Sequence, residues 1–171
     1  MSSKGAVKEK SSPPEGANRK EATRAASRPV PENPGEVSPE NGVSEDPWLG
    51  RVARWDDTEA DARIRGGLPF EIAAHIQSLL DLTDEEAASL IGRSRSTYSR
   101  YRNKDQDLGT AEAERAVRFA RLLALAAETF GSLEEAKEWM MEENYALGGE
   151  RPLELAETDP GARVVRNLLV G

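Results

Sequence analysis

Over residues 68–82, LPFEIAAHIQSLLDL, the apolar residues Ile72, Ile76, Leu79 and Leu80 recur at the spacing of one helix face. Pro69 suits the first helical position, where a missing N–H costs nothing. Residues 58–65 read as a shorter helix, with Thr58 as N-cap and Gly66-Gly67 as the stop. Thr83-Asp84-Glu85-Glu86 reads as a capping box that opens a helix burying Ala87, Leu90 and Ile91. That helix stops at Gly92, and another runs from Ser94 to about Asn103. A long helix follows over 110–130, capped by Thr110. Its apolar residues Val117, Ala120, Leu123, Ala127 and Phe130 predict one buried stripe. Gly131 ends it, and Ser132 with Glu135 predicts a second capping box, with Ala136, Trp139 and Met140 inward. After the loop 144–152, Pro152 starts a short turn of helix, and Thr158 or Asp159 caps a last one. The run VVRNLLV has some strand propensity, but no partner strand is evident, so helix is preferred. The fold class is all-α.

Two helices joined by about three residues around Gly92 have the spacing of a helix-turn-helix over 83–103. Ala88 is small where the two would cross. Residues 1–45 differ from everything after them. They contain no Leu, Ile, Phe, Trp or Tyr and hold six of the ten prolines. Such a stretch buries too little apolar surface to offset its ordering entropy, so a disordered tail is expected over 1–47. The expected organisation is that tail, a helical region 48–108 carrying the helix-turn-helix, and a helical C-terminal domain over 109–171.

Charge adds a second contrast. The chain carries a net charge of −8, yet residues 1–45 balance seven basic residues with seven glutamates, so the acidity lies in the helical part. Within it, GRSRSTYSRYRNK (92–104) has five basic residues and no acidic one. A helix laid in the major groove needs short hydrogen-bonding side chains against base edges, and Arg for guanine or phosphate. Tyr98 and Tyr101, three apart, pack inward, and Arg95, Ser96, Ser99 and Arg100 then face out. Arg93 stands where this motif commonly has an apolar residue, which makes it a phosphate contact or marks the motif as repurposed. A solvated basic surface is the plain alternative. Specific binding would require a two-fold dimer presenting two such helices about 34 Å apart.

Other chemistry has few residues to carry it. There is no Cys and one His. His75 shares a helix face with Ile72 and Leu79, as a half-buried packing residue would. No glycine pair is followed by the Lys-Ser/Thr of a phosphate loop. Acidic pairs sit at helix starts, where capping explains them. No enzyme, cofactor or metal site is expected. No apolar run approaches the roughly 20 residues that span a bilayer, and the N-terminus has no signal-peptide core. The expectation is a soluble cytoplasmic protein.

The order of these elements resembles the Xre/MbcA/ParS-type antitoxins over roughly 64–171. The resemblance rests on GLP (67–69), TDEEAASLIGRSRSTYSR (83–100), ARLLALAAETFGS (120–132) and above all Asn144, Leu147, Gly148, Gly149, Pro152, Leu153, Leu155, Thr158, Gly161 and Ala162. It implies a type II antitoxin that binds an NAD-consuming RES-domain toxin and represses its own operon as a dimer on operator DNA. DNA contact would fall to Arg93, Arg95, Ser96, Thr97, Ser99 and Arg100, extended by Arg102 and Lys104. Toxin contact would fall to Arg163, Arg166, Asn167, Leu169, Val170 and Gly171, near the toxin's NAD site. An acidic body suits a basic partner. The proteins it resembles usually continue past the Leu168-Leu169 position with an Ile and a terminal aromatic-Gly or His-Gly, where this sequence reads LLVG. A stand-alone repressor without a toxin, and an interaction module with a silent helix-turn-helix, stay open as alternatives.

Because residues 1–45 lack large apolar side chains, deleting them should leave the thermal midpoint unchanged. A large drop in a calorimetric melt would mean that the segment is packed.

Overall fold

A computed structural model describes residues 46–171. The tail expected over 1–45 lies outside the described residues. Asp46 and Pro47, assigned above to that tail, instead open the first helix.

Among the described residues there are nine α-helices and no strand. They are α1 (Pro47–Arg54), α2 (Asp57–Gly66), α3 (Glu71–Leu79), α4 (Asp84–Leu90), α5 (Arg95–Lys104), α6 (Thr110–Phe130), α7 (Leu133–Met141), α8 (Pro152–Leu155) and α9 (Asp159–Val170). A single turn of 3₁₀-helix, Tyr145–Leu147, sits in the loop before α8.

The helix α1 has no counterpart in the sequence reading. Eight residues are too few to show a period, and a helix that short is marginal without tertiary contacts. Two things hold it. The Asp46 carboxylate accepts the N–H groups of Trp48 (3.0 Å) and Leu49 (2.8 Å). Leu49 and Val52 are fully buried, and α1 packs on α6. The second Asp46 oxygen lies 2.7 Å from His75 Nε2, and the imidazole stands edge-on to Trp48. His75 therefore ties α3 to the cap of α1.

Three helix starts differ from the sequence reading. In α2 the cap is Asp56, which accepts the Glu59 N–H at 2.8 Å, and Thr58 is already helical. Asp caps at least as well as Thr. The helix α3 begins at Glu71, and Pro69 precedes it, its carbonyl accepting the Ile72 N–H. In α6 the cap position belongs to Gly109, without a side-chain bond, and Thr110 is the first helical residue.

Other local signals form as read. Thr83 Oγ1 accepts the Glu86 N–H, and Glu86 accepts the Thr83 N–H at 2.9 Å. Ser132 caps the Glu135 N–H, the forward half of the second box expected there, and Thr158 caps the Gly161 N–H. The terminal run is helix, as preferred. At the end of α4 the Arg93 N–H reaches the Ala88 carbonyl and the Gly92 N–H reaches Ser89, both at 2.8 Å. This is a Schellman closure, and it places Gly92 at φ +70, a left-handed backbone that glycine adopts without a Cβ penalty.

The core runs without a break from Leu49 to Leu169. Its centre is α6, which packs against α1, α2, α3, α4, α7 and α9. Burial on α6 is therefore broader than one stripe. Ala113, Ala116, Phe119, Leu122, Ala124 and Ala126 are buried besides the residues of the expected stripe, and Phe130 is only half-buried, tilted on Trp139.

The backbone N–H and hydroxyl of Thr83 hold the Glu86 carboxyl below the usual carboxylate range. A carboxyl depressed by folding adds stability that is present above its unfolded value and lost as pH falls through the folded one. Glu86→Gln keeps an acceptor for the Thr83 N–H and loses only the first-turn charge, so it should cost about 0.3–1 kcal/mol at neutral pH. The difference should shrink as pH falls past the ordinary glutamate value of about 4.3 and vanish only below the depressed folded value. Urea denaturation at neutral and acidic pH checks this; an equal loss at both would show that the charge contributes nothing.

Candidate DNA and partner interfaces

The two faces named in the sequence are built by different helices: α5 packs mainly on α4, whereas α9 packs on α6 and α8. On α5, Ser94 caps the helix through the Thr97 N–H. Tyr98 is fully buried and Tyr101 nearly so. Phe70 stands edge-on to Tyr98 (4.9 Å) and stacks on Tyr101 (6.3 Å). Burial pushes the Tyr98 phenol up, and its hydroxyl donates to Gln77 Oε1 at 2.9 Å. The tyrosines thus seat α5 on the domain and turn its other side to solvent.

The eight expected DNA contacts divide into two groups. Arg95, Ser96, Arg100 and Lys104 are exposed, and Thr97 and Ser99 are partly so. Arg93 and Arg102 are also exposed, but each is engaged in an ion pair with another helix of the domain. Arg102 forms a bidentate pair with Asp84 on α4, at 2.7 and 3.2 Å. It also reaches Gln77 and lies over the Tyr98 ring, 5.3 Å from its centre. Hydrogen bonds from Arg102 and then Gln77 hold the Asp84 carboxyl below its usual range. Arg93 pairs with Glu112 of α6. The Glu112 side chain is 3% exposed against 48% for Arg93, so the arginine neutralises a buried carboxylate. Asn103 was missed in the reading. It is exposed and lies four residues beyond Ser99, on the face of Ser96, Ser99 and Arg100. That spacing was the available signal.

On α9, the expected partner contacts also divide. Arg163, Arg166, Asn167, Val170 and Gly171 are exposed, with Arg163 3.3 Å from Asp159. Leu169 is not available for contact. It is 3% exposed and belongs to the core with Gly161, Ala162 and Val165. Its carbonyl accepts the Thr129 hydroxyl. The exposed apolar residues are Val164, Val170 and, in the loop before α8, Tyr145 at 93% exposure. Asn144 shapes that loop: its carbonyl accepts the N–H groups of Leu147 and Gly149, and its side chain accepts that of Ala146. Gly161 marks where α9 approaches α8 most closely, since a Cβ there would strike the Leu155 carbonyl.

Among the described residues no group of three or more potential metal ligands stands together, and no helix is long and apolar enough to cross a membrane.

A buried tyrosine seat beneath an exposed polar and basic helix, followed by a second helical unit, defines a helix-turn-helix protein with an appended binding domain. Two family models match in succession. Residues 59–121 match the antitoxin Xre-like helix-turn-helix domain, and residues 125–171 match the antitoxin Xre/MbcA/ParS C-terminal toxin-binding domain. The chain belongs to the Xre/MbcA/ParS-type antitoxins, and its C-terminal domain indicates a toxin as partner. No curated protein matches it.

Arg93→Ala would strand the Glu112 carboxylate in the interior, at an expected cost of about 3 kcal/mol. Glu112→Gln should cost less, because the freed arginine reaches water. Adding Glu112→Gln to Arg93→Ala should recover part of the loss in thermal melts; a single variant as stable as the parent would mean that the pair does not hold the turn on α6.

Proposed function

We propose that this protein neutralises an NAD-consuming RES-domain toxin and represses its own operon, acting in the cytoplasm as a homodimer on operator DNA. One observation supports the DNA half above the rest. In an acidic chain, Arg95, Ser96, Ser99 and Arg100 stand together on the free side of α5, with Arg95 and Arg100 outside the ion pairs that occupy Arg93 and Arg102. The proposed division of labour is that Arg95 and Arg100 meet guanine or phosphate, while Ser96, Thr97 and Ser99 fit against base edges. Two copies related by a two-fold axis present two such helices to successive turns of the groove. On the partner side, the exposed residues of α9 and the terminus (Arg163, Arg166, Asn167, Val170 and Gly171) form the toxin contact. The net charge of −8 favours a basic partner. In this reading the protein is a regulator and not an enzyme.

The test is affinity capture of tagged full-length protein from its native cells. The expected result is a stoichiometric partner whose expression alone drains cellular NAD. Recovery of the protein alone, still binding its own promoter, would reduce the reading to a plain repressor. The double variant Arg95→Ala/Arg100→Ala should lose operator binding in gel shifts and still capture the toxin, because the two faces lie on different helices. Loss of both would mean that the variant had not folded.

A further inference from the structure

Helix α6 carries three arginines along its length, Arg115, Arg118 and Arg121, and the fold uses two of them. Arg118 is nearly buried, pairs with Glu114 at 2.6 Å and donates to the Glu157 carbonyl. Arg121 reaches Asp57 at 3.0 Å and the Trp55 carbonyl at 2.6 Å. Arg115 differs. It is partly buried, and its guanidinium has no hydrogen bond or ion pair among the described residues. It lies against Gly92, so closely that a Cβ there would collide with it. Gly92 thus meets two demands, a left-handed φ and room for a guanidinium.

The place matters. Gly92 is the turn of the helix-turn-helix, two residues before Ser94, which caps α5. The adjacent Arg93 is committed to Glu112, and this pair holds the turn against the first turn of α6. Arg115 is one helical turn further along α6. Three cations (Arg93, Arg95 and Arg115) therefore flank one end of α5, and of these only Arg93 is engaged in an ion pair among the described residues. A planar fork of donors, restricted by packing and unpaired, is suited to a phosphate oxygen. Its seat on the buried helix of the core gives it little freedom to lose on binding.

We infer that Arg115 contacts a backbone phosphate of the DNA bound by α5, so that the DNA face extends beyond the helix-turn-helix onto α6. This rests on the reading that α5 binds DNA. It assigns no base preference to Arg115, since a phosphate contact positions the protein without reading sequence.

The experiment measures binding of the full-length protein by fluorescence anisotropy across a salt series. Two duplexes are used: the segment immediately upstream of its own coding sequence, and a random sequence of equal length. Arg115→Gln should weaken both by the same factor and reduce the salt slope by about 0.9, the share of one phosphate. Arg115→Lys should keep the slope. The thermal melt of Arg115→Gln should match the parent, since no bond within the fold is lost. Unchanged affinity and slope would overturn the inference, as would a loss confined to one duplex or a slope lost equally in the lysine variant. If the parent protein binds neither duplex, the DNA reading itself fails and the inference falls with it.

Discussion

The structure depends on the burial of α6 from both sides at once. Its alanines at 113, 116, 120, 124 and 127 allow neighbouring helices to approach closely, while Phe119, Leu122 and Leu123 fill the space between them. The helices of the DNA-binding half and those of the toxin-binding half meet on this one element. Neither set has a separate core, since the buried cluster is continuous from Leu49 to Leu169. The two family models adjoin within the same helix, at residues 121 and 125. The domain boundary expected at 108/109 lies in the sequence just before the helix that both halves share.

Polar links complete the connection. Arg93 joins the turn of the helix-turn-helix to Glu112. The Ser89 hydroxyl donates to Glu157 at 2.7 Å, bringing α4 to the segment after α8. Arg118 binds the Glu157 carbonyl and so fixes the same segment from α6. The two arginine links are partly shielded from water, where a charge-assisted bond weakens less than at the open surface. The orientation of α5 is therefore set by contacts from two other helices, Asp84 on α4 and Glu112 on α6, and from Phe70 just before α3.

Much of the fold was legible because its signals are local. The Thr83–Glu86 box, the Ser132 and Thr158 caps and the stop at Gly92 all act within four residues, so the order of letters decides them. The caps expected at Thr58 and Thr110 fall instead at Asp56 and Gly109, one or two residues earlier in the chain. The helix α1 was invisible for the opposite reason: its stability comes from α6 and from the Asp46–His75 contact, 29 residues apart.

The candidate sites show the same division more sharply. The sequence alone determined that one stretch is basic and that its two tyrosines share a face, because those properties follow from composition and a period of 3.6 residues. The tertiary structure decided which cations remain free. Arg102 and Arg93 are neutralised by carboxylates 18 and 19 residues away. Arg95, Arg100 and Arg115 are not, and Leu169 turns inward while Val170 turns out. These outcomes depend on the angles at which α4, α5, α6 and α9 cross. Those angles are set by the shapes of side chains that meet only in the folded chain.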